Sequence, residues 1–218
     1  MWADWKEALK RNRFRIHFVL SLLGIVAFAA VLPHFFNEIL LPKPGILLID
    51  PILNFFEPRD WSIGIFVTLY SITVLSLVSN AKKPYTLLLM FQMYGVVNFM
   101  RLASLYLFTL EAPEGIIPLS DPFLTVFAYG KEVYVKDLFF SGHVSTLAIL
   151  FFVEQRKPMK HAILIAAILI ILMLTWQRVH YTADMIAAPV VAWLVFRFFT
   201  WLDSWIGLTK VKSASTLS

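Results

Sequence analysis

Cysteine is absent from the chain, which excludes a disulfide framework, a thiol nucleophile and a zinc–thiolate centre. That absence carries no information about compartment. Charge is scarce too: Asp, Glu, Lys and Arg make up 15% of the residues, against about 25% in soluble domains. There is no internal repeat, no stretch polar enough to read as a separate soluble domain, and no biased segment beyond the Ser/Thr-rich tail after Lys212. What is abundant is apolar. Hydrophobic residues reach 59% of the 218, and the mean hydropathy is +0.74. At about 20 residues per helical span, such a chain holds roughly five to seven spans. The composition predicts a single all-α integral membrane domain over residues 1–218.

The net charge of +5 and pI near 9.5 do not indicate nucleic acid as a partner. Lysines and arginines fall in short clusters between apolar runs, the pattern of loops held at a membrane face. The aromatic and basic stretch Met1 to Arg15 has no cleavage-site pattern and reads as a cytoplasmic interfacial helix. Six apolar runs follow. The first extends from Ile16 to the Pro33–His34–Phe35 region, where Pro33 kinks or ends it. Asn37 to Asp60 contains Pro42, Pro44, Pro51 and Pro58 and reads as a surface loop with an interfacial half-helix around Ile46 to Phe56. The other runs are Trp61–Ser79, Pro84–Leu110, Leu138–Val153, His161–Trp176 and His180–Trp201, with a loop at Glu111–Lys136. The expected architecture is a six-transmembrane-helix bundle.

Sidedness follows from the cations. Lys6, Lys10, Arg11, Arg13, Arg15, Lys82, Lys83, Arg156, Lys157, Lys160, Lys210 and Lys212 fall on one side. Lys43, Arg59, Lys131, Lys136 and Arg178 fall on the other. The bias predicts both termini in the cytoplasm, which an even number of spans allows. Glu111, Glu114, Asp121, Glu132 and Asp137 then lie outside.

Ionisable residues inside apolar spans are costly and mark functional groups. Here they are Arg101, His143, His180, Asp184 and Arg197. The last is placed to snorkel to the cytoplasmic face. The others fall toward the outer side, because the chain goes inward after His143 and returns before His180. In His180–Tyr181–Thr182–Ala183–Asp184 the spacing predicts histidine and carboxylate on one helical face, where Asp184 fixes the imidazole tautomer and leaves the other nitrogen free. Ser141–Gly142–His143 opens a span with small residues that let a phosphate approach closely. Arg101 and Arg178 offer planar donors to phosphoryl oxygens. Other readings use the same residues. His180 and Asp184 form a structural pair, or join His143 as metal ligands; Arg178 anchors at the interface; Arg101 pairs with an acidic loop residue.

These motifs resemble a known family. Asp137-Leu-Phe-Phe-Ser141-Gly142-His143 and His180-Tyr181-Thr182-Ala-Asp184 resemble two motifs of the sphingomyelin synthases, a branch of the type-2 phosphatidic acid phosphatase superfamily. Arg101-x-x-x-Leu-Tyr-Leu followed by Thr109-Leu110-x-x-Pro113 is loosely similar to a third stretch. The resemblance covers about 101–192, the expected catalytic core. It implies that His180 is the nucleophile on phosphorus, Asp184 its orienting partner, and His143 the acid and then base. It also implies substrate contacts around Arg101, Asp137, Ser141, Gly142, Arg178 and Tyr181, with no metal and no cofactor.

The implied partners are phospholipid and lipid-alcohol substrates at the outer leaflet, and the implied activity is transfer of a phospho-headgroup to a ceramide- or diacylglycerol-like acceptor. A phosphatase or phospholipase C-like hydrolase would use the same residues with water. A non-catalytic lipid-binding protein would not need them. The sequence contains no Arg-Pro dipeptide, and no Ser-Arg stands five residues before His180. Both are usual in the phosphatase branch. Val144 stands where the synthases commonly have threonine.

Overall fold

The computed structural model describes residues 2–121 and 135–206, whose regular elements are helices. The helices are α1 (Trp2–Lys10), α2 (Asn12–His34), α3 (Ser62–Asn80), α4 (Pro84–Leu107), α5 (Gly142–Val153), α6 (Lys157–Gln177) and α7 (Thr182–Ile206). Lys131, Glu132, Lys210 and Lys212, which entered the charge count, lie outside the described residues.

Among the described residues five helices are long and apolar enough to cross a membrane: Asn12–Leu40, Ser62–Asn80, Pro84–Leu107, Lys157–Gln177 and Thr182–Asp203. Their exposed surfaces carry rows of large apolar side chains, such as Val67, Val74 and Val78 on α3 and Ile165, Ile168 and Leu172 on α6. Such faces suit lipid rather than water. This is the arrangement of a polytopic helical membrane protein. The expected fourth span differs. Leu138–Val153 is one apolar run in the sequence, but only its last 12 residues form a helix. The Ser141 hydroxyl caps that helix by accepting the Val144 N–H at 3.4 Å. Leu138 to Phe140 stay non-helical because the Phe139 and Phe140 carbonyls are taken by Ser104 and Arg101 of α4, at 2.8 and 3.0 Å.

The short α5 is nevertheless the centre of the bundle, in contact with α3, α4, α6 and α7. Val144, Leu147, Ala148, Ile149, Leu150 and Val153 are all buried. The faces around it are partly made of small residues, Ala166 on α6 and Ala188 and Ala192 one turn apart on α7. Small side chains let helices approach closely where packing, not water exclusion, drives association. By contrast α2 is peripheral, lying mainly on α4.

Hydrogen bonds define the two ends of the bundle. At one end Glu154, just after α5, is buried and accepts from Asn80 Nδ2 at the end of α3 (2.9 Å) and from the Arg156 amide (2.8 Å). Burial pushes the Glu154 carboxyl up, but the Arg156 guanidinium and amide together with Asn80 overcome this and hold it at about 2. The Trp5 indole of α1 donates to Ala81 O at 2.8 Å, so α1 docks at this same end. The clusters Lys82–Lys83 and Arg156–Lys157 therefore share one end. At the opposite end Gln177 joins α6 to α3, accepting the Trp61 N–H at 2.9 Å and donating to Ser62 Oγ at 2.9 Å.

Two loops depart from the sequence reading. Helix continues past Pro33, switching to π-type hydrogen bonding over Phe35–Leu40, so the first span runs to Leu40 rather than stopping near Phe35. The half-helix expected over Ile46–Phe56 is reduced to one 3₁₀ turn, Leu53–Phe55. The chain before that turn is extended instead, with Ile46 bridging Leu110 through Ile46 N–H to Thr109 O (2.9 Å) and Glu111 N–H to Ile46 O (3.0 Å). Gly45 allows this approach, since a Cβ there would lie 2.7 Å from the Leu110 carbonyl carbon.

Candidate active site

α6 stops at Arg178, which adopts the left-handed conformation (φ 54°, ψ 33°). That turn carries the chain through Val179, His180 and Tyr181 into α7. His180 and Asp184 are thus not on one helix, as their spacing suggested: Asp184 is in the first turn of α7 and His180 precedes it. They still meet. His180 Nδ1 lies 3.5 Å from Asp184 Oδ2, with both side chains essentially inaccessible. The carboxylate earns its place twice, since Oδ2 also accepts the Tyr181 N–H at 3.0 Å and ties the segment to the helix it begins. Asp184 Oδ1 and His180 Nδ1 make no hydrogen bond among the described residues.

His143, in the first turn of α5, faces this pair. Its ring centroid is 6.1 Å from that of His180 at an interplanar angle of 68°. On its other side lies Phe66 of α3, with ring centroids 5.6 Å apart. His143 Nδ1 has no partner among the described residues. The starts of α5 and α7 are joined directly by the Ser141 N–H, which donates to Asp184 O at 3.3 Å. The two histidines are therefore held by adjacent, hydrogen-bonded backbone segments and not by flexible loops.

Arg101 projects from α4 beneath this junction and is buried. Its Nε donates to Phe140 O, and its Nη2 forms an ion pair with Asp137. The guanidinium lies flat against Gly142, where a Cβ would come within 2.9 Å of Cζ and 3.0 Å of Nη1. A glycine at 142 is needed for that contact. Nη1 makes no hydrogen bond among the described residues and borders the His143 turn. Asp137 is thus the counter-charge of Arg101. Ser141 caps α5, and its carbonyl also accepts from Ser145 Oγ at 2.7 Å.

Tyr181 and Arg178 point elsewhere. The Tyr181 hydroxyl donates to Glu111 O (3.0 Å) and accepts from Leu48 N–H (3.3 Å), fastening the segment to the loops that follow α4 and α2. Arg178 donates to the carbonyls of Glu114 (3.0 Å) and Phe56 (3.1 Å). The structure brings together His143, His180, Asp184, Arg101, Asp137, Ser141 and Gly142. It turns the Arg178 guanidinium and the Tyr181 hydroxyl toward the loops. Among the described residues no group of three His, Asp or Glu side chains is arranged to hold a metal ion.

Several contacts of the site had no sequence signal. Phe66 is one of many phenylalanines on an apolar span. Asp50 accepts the Thr182 N–H at 2.6 Å from a proline-rich loop. Glu111 accepts from Lys136 Nζ and Gly45 N–H, each at 2.8 Å; first Lys136 and then Gly45 hold its carboxyl below the usual carboxylate range. Tyr70 donates to Asp121 on the α3 side of the site. None of these partners is local in sequence.

Residues 136–202 match the family model described as PAP2 superfamily C-terminal. This stretch holds Asp137, both histidines and Asp184, that is, α5, α6 and most of α7. The match covers part of the chain and agrees with the broader type-2 phosphatidic acid phosphatase superfamily without selecting a sphingomyelin synthase-like branch within it. No curated protein matches the sequence.

Proposed function

We propose that the chain is a membrane lipid phosphotransferase that moves a phospho-headgroup from a phospholipid to a ceramide- or diacylglycerol-like alcohol through a phosphohistidine. The carrying observation is the pairing of two histidine rings 6.1 Å apart with, among the described residues, a carboxylate behind only one of them. Two histidines this close reach one phosphoryl group, and the single carboxylate makes their roles unequal.

His180 Nδ1 faces Asp184, which leaves Nε2 to attack phosphorus. The P–O bond to the lipid alcohol breaks as the P–N bond forms, and protonated His143 gives its proton to the departing oxygen. Neutral His143 then removes the proton of the acceptor hydroxyl. That oxygen displaces His180 from phosphorus, and the starting protonation states return. Arg101 Nη1 is the donor available to a phosphoryl oxygen, with Asp137 and Phe140 O holding the guanidinium still. We assign Ser141 and Gly142 to the approach of that phosphate. Arg178 and Tyr181, bound to the loops, shape the rim. No step in this scheme calls for a metal.

The absence of Arg-Pro and of a Ser-Arg before His180 supports transfer over phosphatase action. Incubating purified protein with headgroup-labelled phospholipid, with and without ceramide, tests this. A new labelled phospholipid that depends on ceramide is the expected product. Free phosphate or free phospho-alcohol alone, regardless of acceptor, would make the protein a hydrolase.

We further propose six crossings, with both termini cytoplasmic and the site at the outer leaflet. The non-helical stretch Asp137–Ser141 leads into α5, whose far end meets Asn80; in this reading the two together make the sixth crossing. The clustering of Lys82, Lys83, Arg156 and Lys157 at the end opposite the histidines supports the orientation. Single cysteines give an uncluttered test because none is native. Glu114→Cys is expected to react with an impermeant reagent on intact cells, whereas Lys83→Cys and Lys157→Cys react only after permeabilisation. Labelling of Lys157→Cys from outside would reverse the orientation and move the site to the inner leaflet.

A further inference from the structure

The histidine-bearing start of α7 is held from outside its own helix. Tyr181 stands in the N-cap position, its carbonyl accepting the first helical bonds from the Asp184 N–H (3.0 Å) and the Met185 N–H (3.4 Å). Its side chain cannot cap in return, because the hydroxyl is bound to Leu48 N–H and Glu111 O. First-turn amides left without an acceptor destabilise a helix start, most of all where water is excluded. Two carboxylates take them instead. Asp184 accepts the Tyr181 N–H, and Asp50 Oδ2 accepts the Thr182 N–H at 2.6 Å.

Asp50 comes from the loop between α2 and α3, outside the stretch that matches a known family. Its other oxygen accepts the Ile52 N–H at 3.1 Å, fixing the carboxylate within its own loop. That loop is in turn pinned at Ile46 to Thr109 and Glu111. The loop thus runs from its anchor on the strand-like pair at the end of α4 to Asp50, which hydrogen-bonds the backbone two residues after His180. His180 is not part of the helix, so its ring is placed by the backbone at Tyr181 and Thr182.

We propose that Asp50 is a positioning residue of the phosphoryl-transfer site, acting as the N-terminal cap of α7 from a distant loop. It sets the separation of His180 from His143. The effect on turnover rests on the transferase reading; the hold on the helix start does not. Removing a capping acceptor costs a modest amount of local stability, whereas asparagine caps about as well as aspartate. A small displacement of a reacting group costs on the order of 10²-fold in rate.

The test uses Asp50→Ala and Asp50→Asn in the full-length protein, with two readouts. Hydrogen–deuterium exchange over residues 181–185 is expected to run about five- to tenfold faster in Asp50→Ala, with Asp50→Asn close to wild type. Turnover in Asp50→Ala is expected to fall by about 10- to 100-fold with KM changed less than about threefold, and Asp50→Asn to recover most of it. Unchanged exchange in Asp50→Ala overturns the proposal whether or not the protein is a transferase. Faster exchange with unchanged kcat, in a protein that His180→Ala inactivates, overturns the positioning role while the transferase reading stands. If Asp50→Asn is as damaging as Asp50→Ala, charge and not the hydrogen bond matters, and the cap is wrong. Faster exchange in a protein with no transfer activity supports the cap and overturns the proposed function instead.

Discussion

His180→Ala is expected to lower turnover by on the order of 10⁴-fold or more while the protein still folds and inserts. In the scheme above this side chain forms the bond to phosphorus. Among the described residues no carboxylate pairs with the His143 ring, so His143 does not substitute. Folding should survive because the segment is held by backbone bonds: Ser141 N–H to Asp184 O, Tyr181 N–H to Asp184 Oδ2 and Thr182 N–H to Asp50 Oδ2. None of these uses the imidazole. Headgroup transfer measured on purified variants, with thermal unfolding in detergent as the control, checks this. Activity within tenfold of wild type would exclude His180 as the nucleophile.

Asp184→Asn is expected to be nearly as damaging, by about 10⁴-fold, the loss seen when the orienting carboxylate of a catalytic triad becomes an amide. The substitution is informative here because the carboxylate has two jobs. An asparagine oxygen can still accept the Tyr181 N–H, so the start of α7 keeps its internal bond. What disappears is the negative charge 3.5 Å from His180 Nδ1 and its control of the tautomer. A loss of activity with unchanged unfolding temperature assigns the effect to the imidazole. A loss of less than about tenfold would mean that Asp184 serves the fold alone.

Much of this was legible in the chain, and what was not has a common cause. Span positions follow from apolar runs, and the shared end of the Lys82–Lys83 and Arg156–Lys157 clusters matches the sidedness read from charge. The convergence of His143 with His180 and Asp184 follows from the two helices between them, α5 leading away from the site and α6 returning to it. The run Leu138–Val153 misled because its continuous hydrophobicity hides a tertiary contact: Arg101 and Ser104 claim the carbonyls of Phe140 and Phe139, so the helix waits for the Ser141 cap. His180 and Asp184 have the spacing of one helical face, yet the left-handed Arg178 ends α6 just before and α7 starts only at Thr182. Their meeting is set by a cap, with periodicity playing no part. The half-helix at Ile46–Phe56 gives way to an extended pair because Gly45 admits the backbone at Leu110. Asp50, Phe66 and Glu111 reach the site only through such long-range contacts.

If phosphorus passes through His180, a phosphoenzyme can be trapped before the acceptor arrives. Wild-type protein is incubated with phospholipid radiolabelled in its phosphate, in excess EDTA and without acceptor, then quenched in denaturant. The expected result is a labelled protein band that is lost in acid, stable in alkali and discharged when ceramide is added before the quench. No such band is expected in His180→Ala, and one is expected in wild type whether or not EDTA is present. A band that persists in His180→Ala, or wild-type turnover that stops on chelation and returns with zinc or manganese, would contradict the mechanism.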